Sequence, residues 1–276
     1  MKVLVLSNFG MGLFKFRKEL LEELIKQRHE VFVSLPNDDY VPLLENLGCE
    51  YIESIVDRRG TNPLADMKLL FSYINIINKI KPDIVLTYTI KPNVYGGIAC
   101  RITKIPYLPN ITGLGTAVEN EGLMQKITLN LYKIALKNAE CIFFQNEPNR
   151  QFFIDRGIIK SKSKVIPGSG VNLEQHCYEE YPNDKENIRF LFIGRIMRAK
   201  GIYELLKAAK QIKENQKNVE FHFVGFCEEG YSEELRELND SGIIHYHGQQ
   251  DDVHKFIKDS HAIILPSYHE GTSNVL

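Results

Sequence analysis

Short continuous apolar runs alternate along the chain with segments whose apolar residues recur every three or four positions. That pattern predicts parallel strands buried on both faces and joined by helices. The first run is VLVLSNFG; Leu13, Phe16, Leu20, Leu21 and Leu24 then share a helical face, and the next strand, EVFVSLP, stops at Pro36. The alternation goes on with a helix near 41–47, a strand at 51–55, a helix near 64–80, the strand DIVLTY, a helix over 92–101, the strand IPYLPNIT, a helix over 122–138, the strand CIFFQN, a helix near 148–156 and the strand KVIPGSGVN. Residues 173–187 are rich in Glu, Tyr, Asn and Asp with almost no aliphatic side chains, which marks a linker. A new alternation begins at Ile188: the strand IRFLFIGRI, a helix over 200–215, the strand VEFHFVG, a helix over 232–239, the strand GIIHYHGQ, the short helix DDVHKFIKDS, the strand HAIILPSY, and EGTSNVL opening a further helix. The expected fold is α/β, with a Rossmann-like domain over 1–172, a linker over 173–187 and a second Rossmann-like domain over 188–276.

The 276 residues suit that division, since domains commonly hold roughly 100 to 200 residues. Apolar residues make up 43% and charged residues 25%, the usage of an ordinary globular chain. No apolar run approaches the roughly 20 residues of a bilayer crossing, so membrane contact is expected to be peripheral. The run Val3 to Leu6 is too short for a signal peptide's apolar region and reads as a buried strand. The net charge of −1 gives no sign of bulk nucleic-acid binding, yet it hides an asymmetry. Residues 1–167 hold 22 basic and 17 acidic side chains, net +5; the remaining 12 and 18 give −6. A basic first half suits a phosphate-bearing substrate or anionic headgroups. The five cysteines are widely spaced with no C-x-x-C pair, which fits a reduced, cytosolic compartment.

Ligands of open α/β sheets bind beyond the carboxyl ends of the strands, which singles out three loops. In Gly10-Met11-Gly12, glycines before a helix let backbone N–H groups approach an anion; position 15 is Lys where a dinucleotide fingerprint needs a third glycine. As spacing, the loop fits a tight structural turn as well as an anion site. GRIMRAKG at 194–201 puts Arg195 and Lys200 beside a helix N-terminus, where the helix dipole favours acids, so the two cations call for an external anion, a phosphate or diphosphate. In HEGTSNVL, Glu270 follows a strand of the same domain and should lie on the same sheet edge as Arg195, where a carboxylate can accept hydrogen bonds from sugar hydroxyls. His245 and His247 share a strand face, but no third ligand accompanies them in the sequence. Asp38-Asp39 and Asp251-Asp252 are adjacent acids rather than a D-x-D motif, so no metal is expected.

With these three loops, and with TYTIKPNVYG and NITGLG in the first half, the sequence resembles the retaining glycosyltransferases of the GT-B fold, family four, the group-one transferases, and among them the bacterial capsule and exopolysaccharide type. The resemblance implies a donor site in which Arg195 and Lys200 hold the diphosphate of a nucleotide sugar, Glu270 contacts the transferred sugar, Gly194, Gly271 and Thr272 line the loops, and Gln249 or Gln250 lies near the base. Gly10 and Gly12 would let acceptor and diphosphate approach the first helix. Many relatives carry a His in the segment that reads TYTIK at 87–91 here, and Lys91 would substitute for it on the acceptor side.

The implied reaction moves a hexose or N-acetylhexosamine from a UDP-sugar to a lipid-diphosphate-linked saccharide, with retention by front-face attack and without a metal, at the inner face of the cell membrane. A diphosphate leaves from an oxocarbenium-like state, so cations and helix dipoles aimed at the leaving group would lower the barrier most. The alternatives are a sugar-nucleotide epimerase of the same architecture and an inactive nucleotide-binding fragment. The family carries a second Glu eight positions after the first, at position 278, so the resemblance further implies a C-terminally truncated second domain.

Overall fold

The computed structural model describes residues 1–275 except 58–59, 116–117, 119–121, 161, 179, 184–186 and 229. The chain divides into two compact units, Met1–Gly170 and Val171–Leu276. Residues 173–187, read from the sequence as a linker, therefore fall in the second unit.

The first unit runs β1 (Lys2–Leu6), α1 (Gly10–Lys26), β2 (Glu30–Leu35), α2 (Val41–Asn46), β3 (Glu50–Glu53), α3 (Pro63–Ile80), β4 (Ile84–Tyr88), α4 (Gly97–Thr103), β5 (Tyr107–Ile111), α5 (Leu123–Ala135), β6 (Ile142–Phe144), α6 (Glu147–Asp155) and β7 (Ser163–Val165). Its seven strands are parallel and ordered β3-β2-β1-β4-β5-β6-β7. The order reverses between β1 and β4, which creates the switch point where such sheets bind ligands. Both sheet faces are covered, which is why β1 and β2 carry apolar residues without alternation. One core gathers Tyr73, Tyr132, Phe144 and Phe153, and another packs Leu13, Leu21, Val33 and Leu44. The helix expected over 92–101 opens with a wide π turn at Pro92–Gly96 before α4. In that turn the buried Asn93 ties the ends of β4 and β5 together, accepting from Thr87 Oγ1 at 2.6 Å and donating to the Asn110 carbonyl at 2.9 Å.

The second unit runs β8 (Ile188–Ile193), a 3-10 turn (Arg198–Lys200), α7 (Ile202–Asn215), β9 (Val219–Val224), α8 (Ser232–Asp240), β10 (His245–Tyr246), α9 (His254–Lys258) and β11 (Ala262–Ile263). Its parallel sheet is ordered β10-β9-β8-β11. Phe192, Phe223, Ile202, Leu206, Leu235 and Leu238 form its core. The 171–187 segment reaches this unit through His176, whose ring lies 6.0 Å from that of His254 in α9. The outer strands are shorter than expected: GIIHYHGQ pairs over two residues and HAIILPSY over two. The helix expected from EGTSNVL is not formed in the described residues 271–275, which make bends and a turn. There the Val275 N–H donates to Ser273 Oγ at 3.3 Å, the kind of local side-chain bond that competes with a helix's first turn. Leu276 lies outside the described residues.

Candidate functional site

In the second unit the two predicted donor loops meet because β8 and β11 are neighbours: Ala262 and Ile263 pair with Phe190 and Leu191. The contact then continues beyond the strands. The Tyr268 N–H donates to the Ala199 carbonyl at 3.1 Å, the Tyr268 hydroxyl donates to the Glu204 carboxylate, and Lys200 Nζ donates to Glu270 Oε1. The hydrogen bond holds the Glu204 carboxyl below its usual range and pushes the Tyr268 phenol up. Gly201 makes the approach feasible. Its φ of +68° is left-handed, and a Cβ there would stand 2.2 Å from the Pro266 carbonyl oxygen.

Lys200 and Glu270 thus form a half-buried ion pair, their side chains 19% and 28% exposed. Arg195 is paired as well, with its NH1 2.8 Å from Glu228 Oε2; Arg195 is 48% exposed and Glu228 only 7%. The anion that two cations at a helix N-terminus demanded is therefore available inside the unit, from Glu228 and Glu270, with Glu204 in the first turn of α7. Glu228 stands in the loop after β9, a carboxyl-end loop that the sequence motifs do not single out. Gly194 belongs to the same end of the sheet: a Cβ on Gly225 would stand 1.8 Å from the Gly194 carbonyl oxygen, so the ends of β8 and β9 approach through bare backbone. Gln250 donates to the His247 carbonyl at 2.7 Å, and Gln249 is exposed. Gly271 and Thr272 lie in the bend after Glu270.

In the first unit the glycine loop already faces a carboxylate. The Gly10 N–H, at the start of α1, donates to Asp38 Oδ2 at 2.6 Å, while Asp38 Oδ1 accepts from the Tyr40 N–H. This is the favourable charge at a helix N-terminus, supplied from the loop after β2. A Cβ at Gly10 would meet Asp38 and one at Gly12 would meet the Phe9 ring, so close packing accounts for both glycines. Lys91 is also held, 2.6 Å from Asp66 Oδ1, with the Tyr95 hydroxyl donating to Asp66 Oδ2 at 2.8 Å. Burial, with that carboxylate alongside, pushes the Tyr95 phenol up.

Arg17 is the cation here without a carboxylate partner among the described residues. It is 8% exposed, with its guanidinium 4.9 Å from the Tyr88 ring centroid and NH1 on the Phe16 carbonyl. Burial lowers its pKa, countered by Tyr88. It lines a cavity of about 290 Å³ with Leu20, Leu86, Tyr88, Leu108 and Asn110, whose buried Oδ1 has no hydrogen-bond partner. The first unit thus offers an apolar pocket with a buried positive charge near the ends of β4 and β5.

Residues 2–146 match the family described as glycosyl transferase 4-like, and residues 178–276 match glycosyl transferases group 1. The chain is similar to the N,N'-diacetylbacillosaminyl-diphospho-undecaprenol alpha-1,3-N-acetylgalactosaminyltransferase of Campylobacter jejuni, 28% identical over 98% of this chain and 76% of that protein. It is also similar to the UDP-Gal:alpha-D-GlcNAc-diphosphoundecaprenol alpha-1,3-galactosyltransferase of Escherichia coli, 28% identical over 77% of this chain and 59% of that one. Among solved structures, Anabaena Alr3699/HepE in complex with UDP and glucose shares the fold, with a TM-score of 0.72 at 18% identity, covering 97% of this chain and 74% of that one.

Proposed function

The chain belongs to the glycosyl transferase 4-like family, with a group 1 glycosyl transferase region in its second unit, and from that premise we propose that it transfers a hexose or N-acetylhexosamine from a UDP-sugar to a lipid-diphosphate-linked saccharide, with retention. The observation that carries the reading is the latch between the two second-unit loops, which brings Lys200 and Glu270 together at the carboxyl edge of β8 and β11. A diphosphate competes with Glu270 for Lys200. Once the phosphate holds the ammonium, the carboxylate is released to accept from sugar hydroxyls, and binding couples the two donor contacts. Arg195, oriented by the buried Glu228, adds a planar donor for phosphate oxygens. Together these cations offset charge on the departing diphosphate, which is where a preformed electrostatic site lowers the barrier.

The acceptor assignment is supported by the relatives, whose names specify undecaprenol-diphosphate-linked saccharides, and by the net +5 of residues 1–167. Among the described residues no helix is long and apolar enough to cross a membrane. We place the protein at the cytoplasmic leaflet, reaching its acceptor from the surface. With Asp38 and Asp66 occupying the glycine loop and Lys91, Arg17 and its apolar pocket are the first-unit feature best suited to an anionic, lipid-borne acceptor. Radiolabelled UDP-sugars incubated with undecaprenyl-diphosphate saccharides test the reading. Label should enter the lipid fraction only when acceptor is present; an altered UDP-sugar formed without acceptor would mark an epimerase instead.

A further inference from the structure

The strand β9 alternates Val219, Phe221 and Phe223 into the core with Glu220 and His222 on the opposite face, and the parallel register sets His245 of β10 directly beside His222. Three potential ligand atoms, one each from Glu220, His222 and His245, lie within 4.8 Å of one another. Glu220 Oε2 is 3.3 Å from His222 Nε2, close to the roughly 3.4 Å between ligands of a tetrahedral ion bonded at about 2.0–2.1 Å. The rings of His222 and His245 stack with centroids 4.7 Å apart. The sequence showed only the pair His245 and His247; β9 supplies the further ligands from more than twenty residues away.

We propose that Glu220, His222 and His245 form a binding site for a divalent transition-metal ion such as Zn²⁺, which ties the two-residue edge strand β10 to β9. The surroundings have the form of an outer ligand shell. His222 Nδ1 lies 3.0 Å from His247 Nε2; with the proton on Nδ1 donated to His247, the Nε2 lone pair points toward Glu220 and the ion. His247 is in turn packed against Phe256, with ring centroids 4.8 Å apart. Glu220 is oriented by Arg189, whose Nε is 3.5 Å from Oε2 and whose NH1 donates to the Asp259 carbonyl. The Arg189 guanidinium opposes a second positive charge, so the affinity is expected to be modest.

The experiment uses the full chain without an affinity tag. Titration with Zn²⁺ should show one equivalent bound and a raised thermal midpoint, and Co²⁺ should develop visible ligand-field bands. His222→Gln and His245→Gln should each weaken binding at least about tenfold, and loss of the outer partner in His247→Gln should weaken it by a similar factor. X-ray absorption of the Zn²⁺-loaded wild-type chain should show two imidazoles and requires no variant to fold. A wild-type chain that binds no ion, all-oxygen coordination, or a folded His222→Gln/His245→Gln variant binding as tightly as the wild type would each overturn the assignment.

Discussion

At Gly201 two demands converge on one residue, a left-handed φ of +68° and a carbonyl oxygen 2.2 Å from where a Cβ would sit. Gly201→Ala should cost at least about 1–2 kcal/mol from the backbone conformation alone, with more from displacing Pro266. Urea unfolding of the full chain measures it, and the same variant should lose transfer activity because the latch carrying Glu270 is pushed away. Lys200→Ala should lower transfer by about a hundredfold or more, the scale seen when one fixed electrostatic donor is removed from a reaction centre. Steady-state rates with UDP-sugar and acceptor would show it. Thiol chemistry gives a second residue-scale test. Burial pushes Cys49 to about 11 and Cys100 to about 12, whereas Cys177 is exposed. Iodoacetamide at pH 8 should label Cys177 rapidly and leave Cys49 and Cys100 until the chain unfolds, as peptide mass spectrometry would report.

Among the elements, those dense in apolar residues are legible from the sequence: β2, β4, β8 and β9 lie within the predicted runs and β1 extends its run by Lys2 alone, because burial writes itself into composition, even in β9, where Glu220 and His222 alternate with core residues. The weaker elements follow tertiary context instead. Strands β10 and β11 pair over only two residues each, although their apolar runs are longer. The π turn at Pro92–Gly96 follows from buried Asn93 bridging two strands, a contact invisible to periodicity. In the site, Arg195, Lys200 and Glu270 could be read from loop position, but their partners could not be read in full. Glu228 and Asp38 become partners only once β9 and β2 are laid beside β8 and β1. Packing at the element scale is concentrated in α6, where Phe153 stacks edge-on against Tyr132 and Phe144 at 5.2 and 5.4 Å. Phe153→Ala should destabilise the first unit by about 3–5 kcal/mol, visible as an earlier urea transition.

For the whole molecule, the alkaline side of the stability profile draws on the first unit's buried acids of high pKa. Burial raises Cys49, Cys100, Tyr73, Tyr107 and Tyr132 above their unfolded values, about 11 for Cys49 and about 12 for Cys100 and Tyr107. Each favours the protonated form when folded, so its contribution is fully present below the unfolded pKa near 9 to 10 and declines as pH rises through 11 and 12. From about pH 8 the urea midpoint should therefore hold steady to about pH 9 and fall above it. Residues 1–167 carry net +5, the second unit latches its two loops through Lys200 and Glu270, and the proposed transfer rests on that latch. The most direct test is transfer of radiolabel from UDP-sugars to undecaprenyl-diphosphate-linked saccharide by the chain and by Lys200→Ala and Glu270→Gln. Acceptor-dependent label is expected in the lipid fraction for the wild type, with its loss in both variants; undiminished transfer in both variants would overturn the proposed function.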